Sequence, residues 1–162
     1  MINKKKIETL ALERIDELDK GLFIVEIKVS SSNVIQVEID AEEGNVAIED
    51  CVSVSRNIEH NLDREEQDFE LQVSSAGLDK PFRVTKQYIK NVGEDVKVKL
   101  NQGGKLEGRL IDANDEYFIV ETTRKERIEG KKKKETITEQ HKLAYGDVKE
   151  TKIVISFKKM KS

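Results

Sequence analysis

Ser74 and Ser75 stand just before Gly77, and Asp79, Lys80 and Pro81 follow at once. A serine beside a glycine invites a nucleophile, a hydroxyl held on a sharp turn and activated by a neighbouring base. That chemistry needs a Gly-x-Ser-x-Gly elbow and a histidine placed to take the proton. There is no such elbow, and neither His60 nor His141 lies in a convincing base context. Tight turns use Ser and Gly for backbone reasons. The stretch is therefore read as a turn that presents Ser, Asp and Lys side chains, and no catalytic residue is expected.

The other reactive side chains give no site either. Cys51, the one cysteine, falls on the inner stripe of an amphipathic segment without an activating partner, which marks a structural thiol. A single cysteine cannot form an internal disulfide and suits a reducing cytosol. Asp40 to Gly44 begins like a calcium loop, but its glycine comes one position early and the remaining ligands are missing. Gly103-Gly104-Lys105 lacks the frame of a phosphate loop. No two glycines have the Gly-x-x-Gly spacing of a KH clamp, and no aromatic cluster offers a stacking platform. Neither a metal nor a cofactor is expected.

One segment has an obvious electrostatic use. Arg124 to Lys134 holds seven basic and two acidic residues, ending in four consecutive lysines that cannot sit in a core. Arg124, Lys125, Arg127, Lys131, Lys132, Lys133 and Lys134 are candidate phosphate contacts, because each phosphate neutralised releases condensed counterions. A solvated hairpin tip is the competing explanation.

These residues depend on two dissimilar halves. Residues 1–81 carry 9 Lys+Arg against 19 Asp+Glu, and residues 82–162 carry 20 against 13, so the net charge of −3 hides a dipole. Such asymmetry points to partners rather than to fold. With 36% apolar and 38% charged residues, each core must be modest. No stretch approaches the roughly 20 apolar residues of a membrane span, and the basic N-terminus leads into an amphipathic segment rather than a signal peptide.

In the first half, Ile7, Leu10, Ala11, Ile15 and Leu18 recur at helical spacing, which predicts a helix over 4–20 with Asn3 as cap and Gly21 as stop. Phe23, Val25, Ile27 and Val29 alternate as the inner face of a strand, and Ile35, Val37 and Ile39 as that of a second. A second helix is predicted over 48–62, with Cys51, Val54, Ile58 and Leu62 inward. A third strand follows through Phe69, Leu71 and Val73. The N-terminal domain, 1–81, is thus α+β in the order α-β-β-α-β, two helices on one face of a three-stranded sheet.

The second half, 82–162, changes to short strands with tight turns. Val96 to Leu100, Leu106 to Ile111, Tyr117 to Thr122, Thr136 to Gln140 and Thr151 to Phe157 are the five strand candidates, with Gly108 read as a bend or bulge. They predict an all-β small barrel of SH3 or Sm type, carrying the basic insertion at about 124–134.

On these residues the chain resembles the bacterial ribosome maturation factor RimP family along essentially its full length. The α-β-β-α-β half before a small barrel carries part of the likeness. Ile39-Asp40-Ala41-Glu42-Glu43-Gly44, leading through Ile48-Glu49-Asp50-Cys51 into Val54-Ser55, carries more. The most specific part is Val73-Ser74-Ser75-Ala76-Gly77-Leu78-Asp79-Lys80-Pro81, which is similar to the family's Val-Ser-Ser-Pro-Gly-Leu-Asp-Arg-Pro. Ala76 replaces the family's proline and removes a restraint on φ. Lys80 replaces its arginine, keeping the charge without the bidentate fork.

The resemblance implies a non-enzymatic, cytoplasmic assembly factor that binds the free small ribosomal subunit and promotes its maturation. The expected partners are a ribosomal protein near the decoding centre, met by the barrel, and rRNA. A monomer is expected, with no membrane association. Ser74, Ser75, Gly77, Leu78, Asp79, Lys80 and Pro81 become a signature turn and candidate partner contacts. The rival from another class is an Sm-like RNA-binding regulator or RNA chaperone, which needs a ring of barrels. A hydrolase using Ser74 or Ser75 is a further rival.

Overall fold

The computed structural model describes residues 2–77, 79–127, 129–130 and 133–154. The chain divides into two compact units, residues 1–77 and 78–162.

In the first unit, α1 spans Lys4–Leu18. Asn3 caps it, its side-chain oxygen accepting from the Lys5 N–H at 2.8 Å. The helix ends two residues before its predicted limit because Asp19 turns left-handed (φ 48°) and donates its N–H to the Ile15 carbonyl. Strands β1 (Leu22–Val29) and β2 (Val34–Ala41) form an antiparallel pair. Helix α2 (Ile48–His60) then crosses over to β3 (Glu70–Ser75), which lies parallel to β2, giving the sheet order β1-β2-β3. The Asn57 side-chain amide donates to the Leu10 carbonyl at 2.7 Å, and the Arg14 guanidinium donates to the Ser53 hydroxyl at 3.0 Å, which fastens α2 to α1.

Ile7, Ile35, Val37, Ile39, Val54 and Ile58 are fully buried where the two helices cover this sheet. The face of β1 differs from the sequence expectation. A bulge between Ile24 and Glu26 breaks the two-residue period, so Leu22, Ile24, Ile27 and Val29 join the helix-covered core. Phe23 and Val25, predicted with Ile27, are buried outside that cluster.

The second unit opens with a helix that periodicity does not reveal, α3 at Thr85–Lys90. Five antiparallel strands follow: β4 (Asp95–Leu100), β5 (Lys105–Ala113), β6 (Tyr117–Arg127), β7 (Lys134–Ala144) and β8 (Val148–Ile153). They lie in the order β7-β6-β5-β4-β8. Residues 155–157 of the last predicted strand lie outside the described residues. Among the described residues no ladder joins β7 to β8, so the sheet is open there, and the closure of a barrel is not among its pairings.

Val96, Val98, Leu110, Phe118 and Val120 are fully buried in the core of this sheet. Tyr88 of α3 lies on that core, 4.7 Å from Phe118 and 4.9 Å from both Phe82 and Tyr145 between ring centres. Its hydroxyl donates to the buried Thr151 hydroxyl at 2.8 Å. Gly108 sits opposite Val96 in the β4–β5 ladder, while its α-carbon lies against the Glu121 carbonyl of β6. The bulge of this strand falls further on, between Leu110 and Asp112.

The buried Tyr88 and half-buried Tyr145 couple stability to alkaline pH. Burial, then the negative charge that Tyr88, Asp115 and Asp112 place nearby, pushes Tyr145 up to about 12. Burial also raises Tyr88, against the opposing hydrogen bond with Thr151. A folded-state value above the unfolded one means that the folded chain keeps a proton the unfolded chain releases. Stability from these groups is complete below the ordinary phenol value of 10.0 and is lost as pH rises toward about 12. Urea midpoints are therefore expected to fall across that window. A Tyr145→Phe variant should show a shallower fall.

Candidate functional site

The signature turn begins on β3. Ser74 and Ser75 stand opposite Glu38 and Ile39 in the parallel ladder, and the next residue continues the pairing, the Ala76 N–H donating to the Ile39 carbonyl at 3.0 Å. Ser74 is half-buried and Ser75 exposed, and neither hydroxyl bonds to a histidine among the described residues. Gly77 is half-buried, Asp79 and Lys80 are exposed, and Pro81 is half-buried. Leu78 lies outside the described residues. Beyond the proline, the Phe82 N–H donates to the Thr151 carbonyl at 2.8 Å within the second sheet. Each end of the turn is thus fixed by a backbone bond within its own unit.

Asp50 shows how the residues before this turn use their charge. It is 4% exposed at the start of α2, where its carboxylate accepts from Lys20 Nζ at 2.9 Å and from the Ala47 N–H at 3.3 Å. A carboxylate there also meets the positive end of the helix dipole. The hydrogen bond to Asp50 raises the Lys20 ammonium above its ordinary value. Burial and the neighbouring Asp50 charge raise the Cys51 thiol, which disfavours the reactive thiolate. Among the described residues, no group of three or more His, Cys, Asp or Glu is placed to hold a metal ion.

The basic segment takes a form that its composition does not show. Strands β6 and β7 run beyond the core as an antiparallel hairpin arm, paired from Tyr117↔Ala144 out to Arg127↔Lys134. Alternation along both strands sorts the arm's charges between two faces. On one face lie Arg124, Glu126, Glu135 and Glu139. Arg124 donates to Glu139 at 2.9 Å and to Glu126 at 3.1 Å, bonds that raise its guanidinium still further. On this face, nearer the core, the Thr122 hydroxyl lies 3.0 Å from His141 Nε2.

The opposite face carries Lys125, Arg127 and Lys134, none of which forms an ion pair with a described residue. Nearer the core this face carries Glu121 and then Lys142, whose ammonium lies 4.1 Å from the centre of the Tyr117 ring. Lys133 is exposed in the connecting segment, and Lys131 and Lys132 lie outside the described residues. Of the candidate phosphate contacts, then, the arm brings Lys125, Arg127 and Lys134 together and turns Arg124 away. Lys142 escaped the sequence argument because it lies outside the charge run; strict alternation carried past Glu139 is the signal that places it on the basic face.

Comparisons with known proteins bear on what this arrangement serves. Residues 12–79 match a family model described as the RimP N-terminal domain. A protein of Christiangramia forsetii named ribosome maturation factor RimP is 39% identical over 154 residues, covering 95% of this chain and 99% of its own length. Proteins of the same name from Flavobacterium psychrophilum and Porphyromonas gingivalis are each 35% identical, covering 97% and 96% of this chain and 100% of their own lengths.

Proposed function

Because the chain belongs to the RimP family of ribosome maturation factors, we propose that it binds the free small ribosomal subunit and promotes its maturation without turnover. The observation that carries this is the identity spread over nearly the whole of both chains, so that each unit has its counterpart in the relatives. The general role of a ribosome assembly factor is theirs by name and this chain's by membership.

A binding role suits the chemistry. Ser74 and Ser75 have no histidine base among the described residues, and the charge is divided between an acidic first half and a basic second half. The chain is proposed to act in the cytoplasm as a monomer. No described helix is long and apolar enough to cross a membrane.

In this reading the five-stranded sheet curves into a small barrel of SH3 type that meets a ribosomal protein near the decoding centre. The exposed Asp79 and Lys80 of the signature turn serve as further contacts, while the arm meets rRNA phosphates. The boundary near residue 81 separates two domains with different partners. Maturation is promoted if the correctly arranged subunit is bound more tightly than its misarranged rival, since only differential affinity shifts a population. A preference of about 1.4 kcal/mol shifts the balance tenfold. The full-length match, which includes the N-terminal unit, gives the Sm-like chaperone no comparable support.

Cosedimentation with purified small subunits, large subunits and joined ribosomes tests the proposal. Selective retention with free small subunits is expected, and equal binding to all three would overturn it.

A further inference from the structure

The arm's two faces lead to a narrower inference, which rests on the small-subunit reading for the identity of the partner. We propose that one face of the arm, formed by Lys125, Arg127 and Lys134, lies along an RNA backbone, while Arg124 takes no part in that contact. Two observations carry it. Arg127 and Lys134 are direct cross-strand partners, so their side-chain bases stand about 5 Å apart, where like charges repel. No carboxylate of the described residues pairs with either of them, although Glu126 and Glu135 lie beside them on the opposite face. The free protein therefore holds an uncompensated repulsion at the far end of the arm.

A phosphate between Arg127 and Lys134 removes that repulsion. Lys125 follows on the same face roughly 7 Å along the strand from Arg127, a step comparable to that between successive phosphates of a nucleic-acid strand. The remaining residues of the outer half of this face are Thr123, Thr136 and Thr138. Their hydroxyls can donate to phosphate oxygens. They offer no apolar surface to a peptide and no ring on which a base could stack. Recognition is thus of the backbone and independent of sequence. Arg124 contributes nothing because it lies on the opposite face, where Glu126 and Glu139 engage its Nε and Nη1 and balance its charge.

The test compares the wild-type chain with a triple variant, Lys125→Thr, Arg127→Thr and Lys134→Thr, and with Arg124→Thr. Binding to purified free small subunits and to a random-sequence RNA duplex is measured over a range of potassium chloride concentrations. The triple variant is expected to lose about 1.8 in log–log salt slope, at about 0.9 for each of the two duplex phosphates. Arg124→Thr should keep the wild-type slope. The triple variant should also melt at a higher temperature than wild type, because the repulsion is gone, and this excludes misfolding as the cause of weaker binding.

An unchanged slope in the triple variant on both targets overturns the face and leaves the partner standing. Slope lost on the duplex, with no wild-type binding to small subunits, overturns the partner and keeps the face. Displacement from the subunit by polyglutamate as readily as by duplex RNA would mean that the face takes an acidic peptide, and would overturn the proposal.

Discussion

Gly108→Ala is expected to destabilise the second unit by about 3 kcal/mol, the upper end of what overpacking costs. The residue has no unusual φ; the constraint is steric. A β-carbon at this position would overlap the Glu121 carbonyl oxygen and crowd its carbon at 2.9 Å, with a Val120 methyl at 3.2 Å. Neither backbone atom can move without disturbing the ladder that holds Leu110 opposite Val120. Urea denaturation followed by circular dichroism measures the loss. A change below about 0.5 kcal/mol, typical of an unconstrained surface site, would mean that β5 and β6 are not this close.

Phe118→Ala is expected to cost about 3–5 kcal/mol, since deleting a fully buried ring loses its burial and leaves a cavity. The effect extends beyond the ring itself. Phe118 packs 4.7 Å from Tyr88 and 5.4 Å from Tyr145, and the Tyr145 hydroxyl bonds to the Asn114 and Tyr117 carbonyls at the turn into β6. Removing it loosens both the aromatic cluster and the root of the arm. Thermal unfolding checks the stability loss. Subunit binding should weaken in parallel as the arm's root loses order, and a conservative Phe118→Leu should recover most of both.

Where hydrophobic period and burial coincide, the fold was legible from residue types alone. The stripe of α1, its Asn3 cap and the alternation of β2 all lead to the observed elements. Legibility failed where a local event resets the period. The bulge after Ile24 exchanges the faces of the first half of β1, replacing Phe23 and Val25 by Leu22 and Ile24, while Ile27 and Val29 face inward as expected. Helix α3 has only six residues and is held by Gln87, whose side-chain oxygen accepts from the Arg83 and Val84 N–H groups at 2.6 and 3.3 Å. Periodicity cannot see so short a turn of helix.

The site was half legible for a related reason. Arg124 to Lys134 was recognisable as an exposed basic extension, but composition assigns its cations to one pool. Only the register of β6 against β7, with Arg127 opposite Lys134 and Arg124 between two carboxylates, separates the cations available to a ligand from the one already engaged. Beyond Val120, β6 continues in polar residues on both faces, so hydrophobicity gives no sign of how far it runs.

The strand order of the second sheet also sets a timetable. Strands β4 to β7 are sequential neighbours and pair as each emerges, but β4 must wait for β8, with Val96 opposite Ile153 and Lys97 opposite Lys152. Closing so long a loop comes late and slows folding. The first sheet, by contrast, is complete once Ser75 has been made. During synthesis the acidic unit can therefore be folded while the basic one is still unfinished. The arm can take its register as soon as β7 is made, and only the β4–β8 ladder waits until nearly all of the described chain has been synthesised.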